Sequence, residues 1–171
     1  SGAGVGSRNS IDEQDGSVSI YKAYEIRGTY PDQIDEATAR RIGAALAKFL
    51  SAKRLVVGRD MRTMAPSVQA AVIEGILEQG CDVIDIGLAS TPMLYYAIGV
   101  QDCDGGLCVT ASHNSKEYIG FKLCREDARP LSMDSGIAEI RDLAEGGQLE
   151  AAAAPGVCET ANVKSDFVDH I

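Results

Sequence analysis

A chain of 171 residues, 45% of them hydrophobic, can bury one core but has no room for a second full domain. With 16 basic against 25 acidic residues its net charge is -9, which argues against nucleic acid as a partner, because such binding relies on a basic face. No apolar run approaches the roughly 20 residues of a membrane span, and the first residues lack the apolar segment of a secretion signal. We therefore expect a cytoplasmic protein without a membrane partner.

Residues 1–16 are polar and rich in Gly and Ser, so we predict a disordered tail there. Strand and helix patterns alternate along the rest of the chain. Short β-branched or continuously apolar runs predict strands at residues 17–31, with a sharp turn at Gly28, and at residues 54–58, 81–87, 105–110 and 118–124. Apolar residues at helical spacing, with Asp35, Pro66 and Ser90 as N-terminal signals, predict helices at residues 35–50, 66–76, 90–100 and 133–145.

This order of elements predicts an α/β fold. Strands that are joined by crossovers long enough for a helix lie parallel, and the helices cover both faces of the sheet. Residues 118–124 follow the preceding strand too closely for a helix, so we expect them to pair with it in antiparallel fashion. The prediction is a three-layer α/β/α sandwich with a mixed, mostly parallel sheet over residues 17–146. Residues 147–171 then form a linker and the start of a further domain.

Polar loops follow three of the predicted parallel strands, at residues 59–63, 88–92 and 111–117. In open α/β sheets ligands collect beyond the carboxyl ends of the strands, so these loops are the candidate site. The charged residues of the first loop are better suited to a network that supports the neighbouring loop than to binding a substrate. They are Arg59, Asp60 and Arg62.

Ser112 lies in the third loop, beside His113 and Asn114. As an acyl-transfer nucleophile Ser112 would need a base. His113 is poorly placed to be that base, because adjacent side chains of an extended segment point to opposite sides. The G-x-S-x-G elbow is also absent. The G-x-x-x-x-G-K-[ST] phosphate loop is absent as well. A phosphoryl carrier fits better, because phosphoryl transfer depends chiefly on positioning and charge neutralisation. Alternation along residues 118–124 turns Lys122 toward the loop side, where it can supply positive charge.

Four segments together resemble one known family. "YKAYEIRG", "VVGRDMR", "STPMLYYA" and "VTASHNSKEYIGFKL" are similar, in this order and at similar separations, to the N-terminal domain of the α-D-phosphohexomutases. The similarity is greatest to the phosphomannomutase/phosphoglucomutase branch and covers about residues 20–145. The family pattern T-A-S-H-N-P and N-G-x-K is departed from at two positions, where this chain has Ser115 and Ile119.

The resemblance implies roles for individual residues. Ser112 would be the phosphoserine that donates its phosphoryl group to a phosphosugar and takes one back. Lys122 would be the acid/base near the reacting hydroxyl, with Arg27 as its active-site partner, and His113 would orient phosphate or sugar. Tyr24 is expected near the substrate, and Asn114 either shapes the turn or touches the substrate.

The same resemblance implies partners and cofactors that this chain does not itself contain. The D-G-D-x-D-R metal loop and the G-E-x-S-G sugar loop of later family domains are missing from the sequence. We therefore expect Mg²⁺ to be held by the phosphate on Ser112 and by the remaining domains of the same chain, with glucose or mannose 1,6-bisphosphate as activator and intermediate. The isolated chain should be inactive. Two alternatives stay open, a phosphoglucosamine mutase domain and a non-catalytic module that binds phosphosugars.

Overall fold

A computed structural model of the chain describes residues 19–111, 113–147 and 149–163. The predicted tail of residues 1–16 and the predicted phosphoserine Ser112 lie outside the described residues. Within these ranges, no helix is both long and apolar enough to cross a membrane.

The described ranges form six strands and four helices. The strands are β1 (Ile26–Thr29), β2 (Arg54–Arg59), β3 (Asp82–Leu88), β4 (Gly105–Val109), β5 (Tyr118–Arg125) and β6 (Cys158–Thr160). The helices are α1 (Glu36–Leu50), α2 (Ala65–Glu78), α3 (Thr91–Val100) and α4 (Ala138–Gly146). A 3-10 turn at Glu126–Ala128 follows β5, and a π-helical turn at Met133–Ile137 leads into α4.

The residues that predicted the helix starts act as N-caps or lie in the first turn, as expected. The carboxylate of Asp35 accepts a hydrogen bond from the backbone N–H of Thr38 at 2.8 Å and caps α1. The hydroxyl of Ser90 accepts one from the N–H of Met93 at 3.3 Å and caps α3. Pro66 lies in the first turn of α2, where its missing N–H costs nothing.

The sheet is mixed and mostly parallel, as predicted. Its strand order is β1-β5-β4-β2-β3-β6. The pairs β4/β2, β2/β3 and β3/β6 are parallel, whereas β5 is antiparallel to both of its neighbours, β1 and β4. The carboxyl ends of β2, β3, β4 and β6 therefore share one edge of the sheet.

Helices cover both faces of the sheet, which confirms the three-layer α/β/α sandwich. Residues of α1, α2 and α4 form one apolar core with the sheet face that carries Phe121. Residues of α3 form a second core with the opposite face, which carries Val56 and Cys108. The Arg54–Arg59 strand is apolar along its centre because side chains on both of its faces are buried.

The first strand differs from its prediction. Strand β1 covers only Ile26–Thr29, and the sharp turn is not at Gly28, which pairs with Ile119 inside the strand. The chain folds back earlier, where the N–H of Lys22 donates to the carbonyl of Glu25 at 2.8 Å. Gly28 is required for a different reason, since a Cβ atom there would lie 2.9 Å from side-chain atoms of Ile20 and of Gln33.

The sixth strand was not predicted. Cys158–Thr160 lies within the segment interpreted as a linker and pairs with Val83–Asp85 of β3. All three of its residues are exposed, so its sequence has no apolar pattern to signal a strand. Backbone bonds hold it in place, and its start is further held by the N–H of Val157, which donates to the Asp82 carboxylate at 2.8 Å.

Candidate active site

Backbone bonds bring the three predicted loops together at the carboxyl edge of the sheet. The N–H of Asp60, just beyond β2, donates to the carbonyl of Val109 at the end of β4 at 2.9 Å. The N–H of Ala89, just beyond β3, donates to the carbonyl of Arg59 at 2.9 Å. The loops that follow β2, β3 and β4 therefore start side by side, at the place where open α/β sheets bind ligands.

Arg27 and Lys122 lie on the same face of the sheet, on neighbouring strands. Arg27 pairs with Gly120, and Lys122 is two residues further along β5, where it pairs with Cys108 of β4. Directly opposed residues of an antiparallel pair share a face, and diagonal neighbours have Cα atoms about 7–8 Å apart. Both side chains are half-buried. The predicted juxtaposition of these two cations at this edge is therefore present.

Gly120 makes this arrangement possible. A Cβ atom at position 120 would overlap the carbonyl oxygen of Ile26 and lie 3.2 Å from the Cα atom of Arg27 and from the carbonyl oxygen of Thr110. The N–H of Thr110 donates to the carbonyl of Gly120 at 2.8 Å. A side chain at position 120 would push β1 away from β5 next to Arg27. Glycine therefore keeps Arg27 and Lys122 close together on one face of the sheet.

Glu25 holds Arg27 by an ion pair that the sequence did not suggest. Arg27 Nη1 donates to Glu25 Oε1 at 3.0 Å, and both side chains are partly exposed. Burial, and next the positive charge of Arg27, lower the pKa of Lys22, while Glu25 opposes this shift. Lys22, Glu25 and Arg27 are thus electrostatically coupled. The negative charge of Glu25 offsets the positive charges of Lys22 and Arg27.

Cys108 pairs with Lys122, and its thiol responds to the charges around the candidate site. Burial raises the pKa of the Cys108 thiol to about 11, and the Asp60 carboxylate adds to the rise. A hydrogen bond with the Thr91 side chain and the charge of Lys122 act in the opposite direction. The thiol therefore stays protonated near neutral pH and serves as a small apolar group between α3 and the site.

The loop between β4 and β5 is built by its own short-range hydrogen bonds. The backbone N–H and the side-chain amide of Asn114 both donate to the carbonyl of Ala111, at 3.1 and 2.7 Å. The N–H of Tyr118 donates to the carbonyl of Ser115 at 3.0 Å. Asn114 is thus engaged in shaping the turn, as Asn does in many turns. Ala111 is buried and His113 is exposed on either side of Ser112, whose placement lies outside the described residues.

Arg62 reaches across from the neighbouring loop and binds this one. Its Nη1 atom donates to the carbonyl oxygens of Ser115 at 2.7 Å and of Tyr118 at 3.3 Å, and its Nη2 atom donates to that of Asn114 at 2.6 Å. The Asp60 carboxylate lies 3.4 Å from Arg62 Nε. These contacts match the predicted support of one loop by charges of the other.

Arg59, the third member of the predicted network, has a different partner. Its Nη1 atom donates to the amide oxygen of Gln69 at 3.3 Å. The buried Gln69 in turn donates to Asp85 Oδ1 at 2.8 Å, and the same oxygen accepts from the N–H of Gly87 at 2.8 Å. Arg59 thus supports the ends of β2 and β3, and it makes no hydrogen bond to the described residues of the loop at 111–117.

The chain matches a family model over residues 19–150, described as phosphoglucomutase/phosphomannomutase, alpha/beta/alpha domain I. It belongs to the phosphoglucomutase/phosphomannomutase family. This finding confirms the resemblance stated from the four motifs.

Individual members of the family agree with this assignment. The chain is 40% identical over 156 residues to a phosphomannomutase of Escherichia coli, which covers 90% of this chain and 34% of that protein. It is 42% identical over 156 residues to a protein of Xanthomonas campestris pv. campestris strain B100 named phosphohexose mutases, covering 91% and 35%. A solved phosphoglucomutase/phosphomannomutase family protein of Burkholderia thailandensis superposes with a TM-score of 0.79 at 29% identity, covering 88% and 34%. The chain therefore spans about a third of the length of these relatives.

Two further predictions for this phosphoglucomutase/phosphomannomutase domain concern Tyr24 and a metal centre. Tyr24 precedes β1 and is 78% exposed, so its ring is available to a ligand or another domain and contributes little to the core. A metal centre is not formed by the described part of the chain, where no three His, Cys, Asp or Glu side chains cluster closely enough to hold an ion.

Proposed function

We propose that this chain is the phosphate-carrying domain of a phosphohexomutase that interconverts the 1- and 6-phosphates of mannose or glucose. The observation that carries the proposal is the position of Arg27 and Lys122, side by side on one sheet face, at the carboxyl edge where the loop of residues 111–117 begins. The names of the relatives, phosphomannomutase and phosphohexose mutases, support the same reaction class.

In the proposed reaction Ser112 carries a phosphoryl group on its hydroxyl oxygen. A sugar hydroxyl attacks the phosphorus, the bond between phosphorus and the serine oxygen breaks, and a bisphosphorylated sugar forms. The hydroxyl proton passes to the neutral amine of Lys122, and the departing serine oxygen takes up a proton to become a hydroxyl again, while Arg27 neutralises charge on the transferring group. A second transfer in the reverse sense returns the phosphoryl group from the other end of the sugar to Ser112. His113 and Tyr24, which are both exposed, are proposed to orient phosphate and sugar.

The side chains described here do not fit a Mg²⁺ site by themselves, because they form no cluster of three potential ligands. We propose that Mg²⁺ acts in the longer enzyme, held by the phosphate on Ser112 and by carboxylates of other domains. Glucose or mannose 1,6-bisphosphate is the proposed activator and intermediate, and the cytoplasm is the proposed location.

The proposal is tested by mass spectrometry of the full-length enzyme during turnover of mannose 1-phosphate or glucose 1-phosphate. We expect one added phosphate on the peptide that contains Ser112, and we expect Ser112→Ala to remove it and to lower activity steeply. Ser115→Ala is the matched control, because this second serine of the same loop donates to Glu117 at 3.0 Å and has no proposed role in transfer.

Two results would contradict the proposal. The first is a wild-type enzyme that carries no phosphate on this peptide during turnover. The second is a Ser112→Ala variant with full activity. If the wild type binds sugar phosphates without any phosphorylation or turnover, the chain is a phosphosugar-binding module instead.

A further inference from the structure

We infer that Arg62 is a positioning residue for phosphoryl transfer, which acts by fixing the loop that carries Ser112 and does not touch the substrate. This inference rests on the proposed function, because it gives the loop of residues 111–117 a role only if Ser112 carries the phosphoryl group. Arg62 belongs to the loop after β2, and its contacts to the other loop span 52 to 56 positions of sequence.

The guanidinium binds three main-chain carbonyl groups of one short segment. They belong to Asn114, Ser115 and Tyr118, at 2.6, 2.7 and 3.3 Å. Since each peptide unit is planar, fixing a carbonyl also fixes the N–H of the following residue. Three peptide units between Asn114 and Ile119 are therefore oriented by a single side chain. Asn114 also donates two hydrogen bonds to the carbonyl of Ala111, so the constraint extends to residues on both sides of Ser112.

Arg62 is itself held in place by Asp60. The backbone N–H of Arg62 donates to Asp60 Oδ1 at 3.0 Å, and Asp60 Oδ2 lies 3.4 Å from Arg62 Nε. The N–H of Asp60 donates to Val109, the last residue of β4. The Arg62 side chain is only 13% exposed, so water competes weakly for these bonds. Arg62 and Asp60 therefore fix residues 114–118 relative to the ends of β2 and β4.

Arginine suits this task and lysine does not. The guanidinium is a planar fork with five N–H donors in fixed directions, whereas an ammonium group offers three donors from one point. The two terminal nitrogens of Arg62 share the carbonyl groups of residues 114, 115 and 118, whereas lysine would offer a single nitrogen. Lysine at this position would keep the charge and lose the geometry.

The kinetic effect of removing Arg62 distinguishes a positioning role from a role in folding and from a role in substrate binding. A misplacement of about 1 Å in a reacting group can cost on the order of 10²-fold in rate. Removing Arg62 should therefore lower kcat, and it should leave KM for the sugar phosphate nearly unchanged because Arg62 makes no proposed contact with the sugar. A loosened loop should also expose the phosphoserine to water, so that a larger share of the phosphate is lost by hydrolysis than is transferred to sugar.

The test compares Arg62→Met and Arg62→Lys with Arg40→Met in the full-length enzyme. Arg40 is the matched control, because it is an arginine in an ion pair, with Glu78, between α1 and α2. We expect both Arg62 variants to lose about 10–100-fold in kcat with KM within about twofold, and to hydrolyse the phosphoserine faster. Hydrogen exchange of the amides of residues 113–118 should accelerate in both, and neither effect should appear in Arg40→Met.

Several outcomes would overturn the inference. These are a kcat within twofold of wild type in Arg62→Met, full rescue of kcat and of hydrogen exchange by Arg62→Lys, and a rise in KM at constant kcat, which would make Arg62 a substrate ligand. If Arg62→Met does not fold, Arg62→Lys and Asp60→Asn decide by the same measurements. If wild-type Ser112 carries no phosphate, the proposed function fails, and the hydrogen exchange of the loop still decides whether Arg62 fixes it.

Discussion

At the scale of single residues, Lys122 is a half-buried cation near the carboxyl end of β4. It lies between Cys108 on one neighbouring strand and the edge strand that carries Arg27 on the other, and its side chain is half-buried. A half-buried lysine commonly covers apolar surface with its aliphatic stem and keeps its amine in water. Replacing the amine with an apolar group of similar length therefore separates its chemistry from its packing.

We predict that Lys122→Met in the full-length enzyme lowers turnover by about 10²-fold or more, the usual contribution of a general acid or base. The melting temperature should change little, because methionine keeps the stem of the side chain. Steady-state kinetics and thermal unfolding measure both quantities, with Lys116→Met as a control, since Lys116 is an exposed lysine of the adjacent loop. Normal turnover together with unfolding several degrees earlier would make Lys122 a structural residue.

Side-chain alternation was enough to predict that Lys122 faces away from the core of Phe121. The partners of the site residues were harder to predict, because they depend on contacts that sequence spacing does not encode. Arg62 was assigned to loop support, but which carbonyls it binds follows only from the pairing of β2 with β4. Glu25 was missed altogether, since an acidic residue two positions from Arg27 looks like an ordinary exposed charge.

At the scale of elements, α1 and α2 cross at unusually close range. Glycines make this possible: a Cβ atom on Gly75 would overlap the carbonyl oxygen of Arg40 and lie 3.1 Å from the backbone nitrogen of Ala44. A Cβ atom on Gly43 would likewise overlap the carbonyl oxygen of Val72. The two helices therefore touch backbone to backbone, and this contact sets how tightly they cover the sheet.

We predict that Gly75→Ala destabilises the protein by about 1–3 kcal/mol, the typical cost of overpacking, because the backbones of α1 and α2 would have to separate. Gly99→Ala is the matched control, since this helical glycine of α3 has open space around the site of a Cβ atom. That variant should gain about 0.5–1 kcal/mol from helix propensity. Denaturant unfolding measures both, and a Gly75→Ala variant as stable as Gly99→Ala would refute the close crossing.

Elements with a continuous apolar centre or a clear cap were predictable from sequence, as β2, α1 and α3 are. Their signals are local, because burial on both faces and capping by Asp35 or Ser90 leave a mark in neighbouring residues. Strand β6 leaves no such mark, since its three residues are exposed and its pairing with β3 uses only the backbone. The first strand was overextended because β-branched and aromatic residues on both sides of the turn at Lys22–Glu25 look alike.

At the scale of the whole molecule, the described chain forms a three-layer sandwich with two apolar cores, and the candidate site lies at the carboxyl edge of its sheet. Phosphoryl transfer requires charge neutralisation and orientation from all sides of the transferring group. In the proposed reaction Arg27 and Lys122 would supply part of that charge, and no cluster of metal ligands lies within the described residues.

We predict that the isolated 171-residue chain folds but does not convert glucose 1-phosphate to glucose 6-phosphate, even with Mg²⁺ and a 1,6-bisphosphate activator. Folding is checked by a cooperative unfolding transition, and activity by the formation of glucose 6-phosphate, with the full-length enzyme as the positive control. Measurable mutase activity in the purified chain would show that the site is complete without further domains.

Strand β6 runs parallel to β3, so the chain leaves it at the carboxyl edge of the sheet, where the loop of residues 111–117 also lies. In a longer protein, a following domain would be tethered along this same edge of the sheet, at the strand farthest from β1. Short tethers raise the local concentration of one partner at the other to about the millimolar range. Weak contacts between the two parts would then be sufficient to keep a following domain beside this one.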